Sequence, residues 1–178
     1  MRIISGRYKG KRLSAPKSLP VRPTTDFAKE ALFNILNHRI DFSEVSLLEL
    51  FAGTGNISYE FASRGTKDIS CVDADFGCIK FISKTAEELS FPISAIKSDV
   101  YKYVASAKGT FDVVFADPPY AFTMEQMESL VQSLFANDWI EQDGMLIIEH
   151  TKHIDLSSIL NFSEARKYGG SVFSFFQK

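Results

Sequence analysis

The sequence predicts an α/β fold in which a mainly parallel sheet of seven strands carries helices on both faces. The first observation is that apolar strand patterns alternate with helical patterns between residues 47 and 148. Such an alternation implies right-handed crossovers and therefore parallel strands. The second observation is the tail of the chain, residues 165–176, which is typical of a hairpin turning at Gly169-Gly170. This hairpin would add antiparallel strands at one edge of the sheet.

The part of the chain before the sheet predicts an arm and one helix. The first 13 residues are typical of two short strands forming a small β-hairpin, and three prolines then mark an extended linker. Thr24 or Thr25 can cap the next helix. The spacing of its apolar residues predicts that this helix extends to about Asn37. We therefore divide the chain into an arm with its linker, residues 1–23, and a main domain, residues 24–178.

The main domain repeats one pattern. Four-to-six-residue apolar runs predict strands at 47–51, 69–73, 93–97, 111–116 and 145–148. Helical patterns follow the first four strands near residues 56–64, 76–89, 100–107 and 124–136. The last of these is the clearest, because Met127, Leu130, Val131 and Leu134 have the i, i+3, i+4, i+7 spacing of a buried helix face.

Composition limits the class of protein. A chain of 178 residues with 45% hydrophobic residues suggests one globular domain with a small appendage. No apolar run approaches the roughly 20 residues of a membrane span, and the N-terminus has no signal-peptide core. We expect a cytoplasmic monomer, without a membrane partner, in which Cys71 and Cys78 are free packing thiols. The histidines and cysteines show no metal spacing, so we expect no metal.

Charge is distributed unevenly. The first 22 residues hold seven bases and no acid, whereas the rest of the chain holds 13 bases and 22 acids. A basic arm on an acidic body favours a polyanionic partner such as a nucleic acid. A solvated basic tail is the alternative.

The first candidate site follows the strand at 47–51, in the sequence Leu-Phe-Ala-Gly-Thr-Gly. Gly53 and Gly55 allow a tight turn and the close approach of a ligand. A third glycine of the dinucleotide fingerprint is replaced by Ser58, which weakens an NAD interpretation. Asp73 lies 20 residues beyond Gly53 and can accept bonds from both hydroxyls of a ribose. The pocket therefore suits S-adenosylmethionine, which has a ribose and no phosphate, although two glycines alone are equally typical of an ordinary turn.

The second candidate site is Asp117-Pro118-Pro119-Tyr120, directly after the strand at 111–116. Loops at the carboxyl ends of parallel strands share one ligand-binding face, so this loop should meet the glycine turn. Asp117 and the free Pro118 carbonyl can accept the two N–H bonds of a planar amine, while Tyr120 stacks on the attached ring. Such acceptors hold the amine in line with a methyl sulfonium. Asp117 would either take the proton of the amine or only position it.

These motifs resemble the class I S-adenosylmethionine-dependent methyltransferases, which have a Rossmann-like fold. Residues 4–16 and 22–34, with the two motifs above, are similar to the RsmD family, which methylates N2 of a guanine in 16S ribosomal RNA. The resemblance implies a cofactor pocket formed by Glu49, Phe51, Gly53, Gly55, Asp73, Asp99 and Val100. It implies a guanine site at Asp117, Pro118, Pro119 and Tyr120. It implies contacts with RNA phosphates by Arg7, Lys9, Lys11, Arg12 and Arg22, within a small-subunit particle.

The chain departs from the family pattern at a few positions. The family usually has aspartate where this chain has Glu49, and often glutamate where it has Asp73. It usually has a basic residue where this chain has Phe27. Asp112 and Glu149 are given no role beyond solvation. Two alternative functions follow from the same motifs, an adenine-N6 DNA methyltransferase and a non-catalytic RNA-binding protein with a vestigial pocket.

Overall fold

The chain folds around a seven-stranded sheet with helices on both faces. The computed structural model describes residues 1–16, 18–19 and 24–178. The strands are β1 Ser46–Leu50, β2 Asp68–Asp73, β3 Ile93–Lys97, β4 Phe111–Ala116, β5 Ile140–Thr151, β6 Phe162–Tyr168 and β7 Ser171–Gln177. The helices are α1 Asp26–Leu36, α2 Asn56–Arg64, α3 Phe76–Leu89, α4 Val100–Ser106 and α5 Met124–Ala136.

The strand order is β3-β2-β1-β4-β5-β7-β6. Strands β1 to β5 are parallel, and β7 joins β5 and β6 in antiparallel pairing, which confirms the edge hairpin. The chain runs outward from β1 to β3 and then returns to β4 on the other side of β1. This reversal opens a crevice at the carboxyl ends of β1 and β4, where open α/β sheets bind ligands.

Two apolar layers cover the sheet, as the alternation of elements predicts. On one face, α1, α2 and α3 bury residues such as Leu32, Phe61 and Ile82. On the other face, α4 and α5 bury residues such as Val104 and Leu130. Within the described residues, no helix is both long and apolar enough to cross a membrane.

Strand β5 is longer than its sequence predicts. Its first half is polar, yet Ile140 pairs with Phe111 across a register shift before Met145 pairs with Val113. Backbone pairing extends this strand, although the exposed Glu141–Asp143 side chains give no apolar signal. Buried Trp139 fixes the start of the strand, because its indole N–H donates to the carbonyl of Val104 at 3.1 Å.

The arm is also different from its prediction. Its two short segments pair antiparallel around one bridge between Arg2 and Arg12, and Ile3 donates its N–H to the carbonyl of Lys11 at 2.9 Å. The predicted hairpin arm is present, but its pairing is short, because Ile4 and Ser5 donate their N–H groups to Glu60 of α2 rather than across the arm. The next helix begins at Asp26, and Thr25 is its cap, accepting from Ala28 N at 3.2 Å.

Candidate active site

The glycine turn and the Asp-Pro-Pro-Tyr loop open onto one cleft of about 690 Å³. It lies at the carboxyl ends of the parallel strands. Ten residues predicted for the cofactor and the base line it: Glu49, Phe51, Gly53, Asp73, Asp99, Val100, Asp117, Pro118, Pro119 and Tyr120. A cavity of this size, with apolar walls and a few convergent polar groups, is typical of a small-molecule site.

The turn after β1 is fixed by Asp73. Its Oδ2 accepts the N–H of Gly53 at 2.8 Å, and its Oδ1 accepts the N–H of Asp75 at 2.8 Å. Each carboxylate oxygen keeps a second lone pair for a ligand. Gly55 lies behind the turn at the start of α2, with φ of 75°, and a Cβ there would meet Ile82 Cγ1 at 3.0 Å. Gly55 therefore shapes the turn from the core side, whereas Gly53 lines the cleft.

Phe51, predicted for the cofactor pocket, contributes an aromatic wall to the cleft. Its φ of 56° is unusual for a bulky residue and is a form of backbone strain found at ligand sites. Its ring meets Phe122 edge-on at 5.4 Å, and Phe122 in turn stacks on Tyr101 at 6.2 Å. Phe122 and Tyr101 also line the cleft but were not predicted, because α4 and the loop after β4 meet only in the folded protein.

Glu49 is 3% exposed at the floor of the cleft. Its Oε2 accepts the backbone N–H of Ser58 at 2.9 Å and also the Ser58 hydroxyl. Burial raises the pKa of Glu49 to about 7, against the opposing effect of the bonds from Ser58. Ser58 stands where a dinucleotide-binding turn would have its third glycine, and here it serves as a donor to this carboxylate.

Asp117 shares its surroundings with Glu149. Ala116 of β4 pairs with Ile148 of β5. Asp117 and Glu149 each come one residue later, so they lie side by side. Burial raises the pKa of Asp117 well above its usual range, and the charges of Glu149 and Glu49 raise it further. Burial also raises the pKa of Glu149.

Glu149 is 2% exposed, and the prediction that it is only solvated is wrong. Its Oε2 accepts the hydroxyl of Thr24 at 2.8 Å, and its Oε1 accepts the hydroxyl of Ser171 at 2.7 Å. Asp112, at the opposite end of the sheet, is also bonded rather than simply solvated, because it accepts from the N–H of Ser46 at 2.8 Å and from its hydroxyl at 2.7 Å. Both donors to Glu149 lie far from it in sequence, so no local pattern could indicate them.

Asp99 and Val100, two residues predicted for the cofactor pocket, lie shortly after β3. Asp99 caps α4, accepting the N–H of Lys102 at 3.0 Å, and remains exposed on the cleft. Val100 is buried beside it and lines the same wall. A cap uses one oxygen of Asp99 and leaves the other for a ligand amine, so capping α4 is compatible with the predicted place of Asp99 in the cofactor pocket.

The arm is docked on α2. Glu60 accepts the N–H of Ile4 at 2.8 Å and of Ser5 at 2.9 Å, while Arg7 donates its N–H to the carbonyl of Ser63 at 2.7 Å. Four of the predicted RNA contacts are exposed on this docked arm, namely Arg7, Lys9, Lys11 and Arg12. The fifth, Arg22, lies outside the described residues.

Lys29 connects the arm to the cleft. It is 1% exposed, and its Nζ donates to the carbonyl of Arg2 at 2.6 Å and to Asn56 Oδ1 at 2.8 Å. Asn56 lines the cleft and donates to the carbonyl of Thr24 at 3.3 Å. Because Thr24 donates to Glu149, hydrogen bonds run without a break from the arm to the neighbour of Asp117.

This sheet order, with a glycine turn and an acid–proline loop facing each other across one cleft, defines a class I S-adenosylmethionine-dependent methyltransferase. A family model described as conserved hypothetical protein 95 matches residues 1–177. The chain belongs to that family, the RsmD family of methyltransferases. Both the fold class and the family resemblance predicted from the sequence are confirmed.

Similar proteins of known name and similar solved structures agree with this family and fold. YlbH of Bacillus subtilis (strain 168) is 32% identical over 161 residues, covering 88% of this chain and 85% of that protein. Ribosomal RNA small subunit methyltransferase D of Haemophilus influenzae is 29% identical over 180 residues, covering 98% and 91%. The structure of yhhF from Escherichia coli superposes with a TM-score of 0.86 at 25% identity, covering 100% of this chain and 97% of that one. A 16S rRNA N2 G1207 methyltransferase (RsmC) of T. thermophilus, solved with AdoMet and guanosine, shares the fold with a TM-score of 0.73 at 19% identity, covering 90% and 45%.

Proposed function

We propose that this protein transfers a methyl group from S-adenosylmethionine to the exocyclic N2 amine of a guanine in small-subunit ribosomal RNA. The observation that carries the proposal is the shared cleft, in which Gly53 and Asp117 line a single cavity. The names of the RsmD relatives support the RNA substrate. Residues 24–178 would form the methyltransferase domain, and residues 1–23 the RNA-binding arm.

The side chains of the cleft fit S-adenosylmethionine by their chemistry. Asp73 offers carboxylate lone pairs to ribose hydroxyls, and Asp99 with Val100 offers an acceptor and an apolar wall to the adenine. Glu49 and Phe51 lie toward the acid loop, where a carboxylate and an aromatic face suit the cationic methionine end. The cofactor supplies an electrophilic methyl group on its sulfonium.

The acid–proline loop, Asp117 to Tyr120, would hold the guanine amine toward the methyl group of the cofactor. Asp117 and the carbonyl of Pro118 accept its two N–H bonds, so that the nitrogen lone pair points toward the methyl group. Pro118 and Pro119 restrict the loop, and Tyr120 is available to stack on the guanine. The new N–C bond forms as the S–C bond breaks, and the amine proton leaves to Asp117 or to water. No covalent intermediate with the protein is required.

The arm would supply the RNA contacts. A guanine must leave its stack to reach a cleft of this depth, so the enzyme needs to hold the flanking RNA. Arg7, Lys9, Lys11 and Arg12 are exposed on a scaffold bonded to α2, and Arg22 continues the basic stretch. Recognition would then depend on RNA shape within a small-subunit particle, with the protein acting as a cytoplasmic monomer.

Nucleoside mass spectrometry tests this proposal against its alternatives. The protein is incubated with S-adenosylmethionine and either undermethylated small subunits or DNA. We expect N2-methylguanosine in 16S rRNA and no methylated base in DNA. Methyladenine in DNA alone would support the adenine-N6 enzyme. The absence of any product, together with no calorimetric heat from the cofactor, would support the non-catalytic RNA-binding protein. The family comparisons do not favour either alternative.

A further inference from the structure

Phe27 is a large apolar side chain left in solvent beside the cleft. Its ring is 66% exposed in the first turn of α1. Its ring lies edge-to-face with the ring of Tyr168, with centroids 6.4 Å apart and planes at 74°. Tyr168 is held from behind by Phe173, at 6.2 Å. The pair is therefore an exposed aromatic edge on a fixed support, and we call these two residues the aromatic edge.

The aromatic edge lies next to the reacting end of the cleft. Phe27 lies three residues after Thr24, which lines the cleft and donates its hydroxyl to Glu149. Tyr168 pairs across the hairpin with Ser171, which donates to the other oxygen of Glu149. Along the carboxyl edge of the sheet, Asp117 directly follows β4, Glu149 lies in β5, and Tyr168 ends β6 beyond β7. Three strand spacings separate Tyr168 from Asp117, roughly 14 Å.

That separation suits a nucleotide next to the target. A guanine whose amine lies on Asp117 cannot itself reach an aromatic surface so far along the sheet edge. The RNA strand on either side of an extruded base must still pass over the mouth of the cleft, with its neighbouring bases no longer stacked on the target. Unstacked RNA bases are bound by aromatic side chains, since every base has a π face.

Charges around Phe27 fit RNA better than an apolar protein segment. Arg2 lies 3.7 Å from Asp26, the residue before Phe27, and both side chains are exposed. Lys29 fixes the backbone of Arg2 from inside the protein at 2.6 Å. The docked arm thus brings the guanidinium of Arg2 to the same helix that carries the exposed ring. Aromatic rings interleaved with cations are the composition of single-strand binding surfaces.

We infer that Phe27, supported by Tyr168, stacks on an unpaired RNA base adjacent to the methylated guanine. This inference rests on the proposed function and adds a second base-binding position to it. The aromatic edge holds the RNA without touching the reacting atoms, so it acts on substrate binding and not on the chemical step.

Steady-state kinetics with undermethylated small subunits test the inference. We expect Phe27→Ala to raise the KM for subunits about tenfold, the usual effect of losing one base–aromatic stack, with kcat and cofactor affinity unchanged. Phe27→Trp should keep the KM of the wild type, because it preserves a stacking surface. Leu160→Ala is the matched control, since it also removes an exposed apolar side chain, 79% exposed, from the loop before β6.

The outcomes separate the inference from the proposed function. An unchanged KM in Phe27→Ala, while the wild type methylates subunits, would overturn the aromatic edge alone. Failure of the wild type to methylate subunits would refute the proposed function and the inference with it. Affinity for protein-free 16S rRNA is measured in parallel. An equal loss there supports a base as the partner, whereas a loss seen only with subunits would assign the edge to a ribosomal protein and contradict the inference.

Discussion

At the scale of single residues, two buried acids and one half-buried acid set the chemistry of the cleft. Glu49, Asp117 and Glu149 lie on three neighbouring strands, and by strand alternation they share the face covered by α1 and α2. Burial raises the pKa of each carboxyl group. Each acid then has a different environment: Glu49 is bonded to Ser58, Glu149 to two hydroxyls, and Asp117 faces the cleft.

The first prediction separates the two halves of the cleft. Asp117→Ala should abolish methyl transfer while leaving the affinity for S-adenosylmethionine nearly unchanged, because Asp73 and Asp99 hold the other end of the cavity. Radiolabel transfer to subunits measures the first quantity, and calorimetry measures the second. An equal loss of both would show that the cofactor and the base do not occupy separate parts of the site.

The second prediction concerns pH. An ionised Asp117 accepts the amine hydrogens better than a protonated one, so the rate should fall as pH drops through its raised pKa. The charge of Glu149 contributes to that rise, so Glu149→Gln should let Asp117 ionise at lower pH. We expect the acidic limb of the kcat profile to move to lower pH in this variant.

A matched control for this prediction is Asp112→Asn, which changes a partly buried carboxylate at the far end of β4. Its profile should coincide with that of the wild type. A limb that moves equally in both variants, or in neither, would show that Glu149 does not influence Asp117.

Single residues also show how far the sequence predicts the site. Gly53, Asp73 and Asp117 could be identified because each follows an apolar strand, and strand ends converge in a parallel sheet. Glu149 also lies near the end of a strand, but its partners Thr24 and Ser171 are 125 and 22 residues away in the chain. The sequence alone cannot pair residues whose contact depends on how α1 and the terminal hairpin pack.

At the scale of elements, the arm is a fixed part of the protein. The carboxylate of Glu60 is fully buried, receives two N–H groups from the arm, and lies 3.5 Å from the ammonium of Lys29 and 2.9 Å from the guanidinium of Arg64. Detaching the arm would break these buried contacts, and removing one member of a buried ion pair costs about 3–5 kcal/mol of stability. The cations of the arm are therefore presented in a defined position before RNA arrives.

The third prediction uses a matched pair of glycines to detach the arm. Gly6 and Gly10 both have positive φ, 79° and 85°, but a Cβ on Gly6 would lie 1.9 Å from the carbonyl oxygen of Ser63, whereas Gly10 has nothing within 4 Å. Gly6→Ala should free the arm, seen as faster amide exchange at Ile4 and weaker RNA binding. Gly10→Ala has a similar backbone strain without the clash, so its arm should stay docked. Equal exchange in the two variants would contradict this role of Gly6.

The fourth prediction concerns the charges on the arm. Replacing Arg7, Lys9 and Lys11 together with glutamine should weaken RNA binding and reduce the slope of log affinity against log salt by about two to three. Cofactor affinity should stay unchanged, because these side chains are exposed and lie outside the cleft. Binding is measured by fluorescence anisotropy over a salt series. A slope equal to that of the wild type would remove the arm from the RNA interface.

Elements differ in how well the sequence predicts them. Helices α2, α3 and α5 agree with prediction at both ends, since glycine at a helix end and side-chain caps such as Asp75 and Thr123 mark their limits. The arm and the first half of β5 do not, because both depend on backbone bonds to distant partners. Residues that donate N–H groups to Glu60, or pair with Phe111, carry no local signal of doing so.

At the scale of the whole molecule, the order of the strands creates the site. Strand β1 lies between β2 and β4, so the turn after β1 and the loop after β4 lie side by side although 64 residues separate Gly53 from Asp117. The sequence predicts this arrangement through the alternation of strands and helices. It does not predict that Thr24, before α1, and Ser171, in the terminal hairpin, both donate to Glu149 beside Asp117.

The central claim is that one cleft brings a methyl donor to a guanine amine of small-subunit RNA. It is tested most directly by nucleoside mass spectrometry of 16S rRNA from cells that lack this protein. We predict that one N2-methylguanosine is missing, and that it is restored by the wild type but not by Asp117→Ala. Full modification in the absence of the protein, or its restoration by Asp117→Ala, would contradict the account.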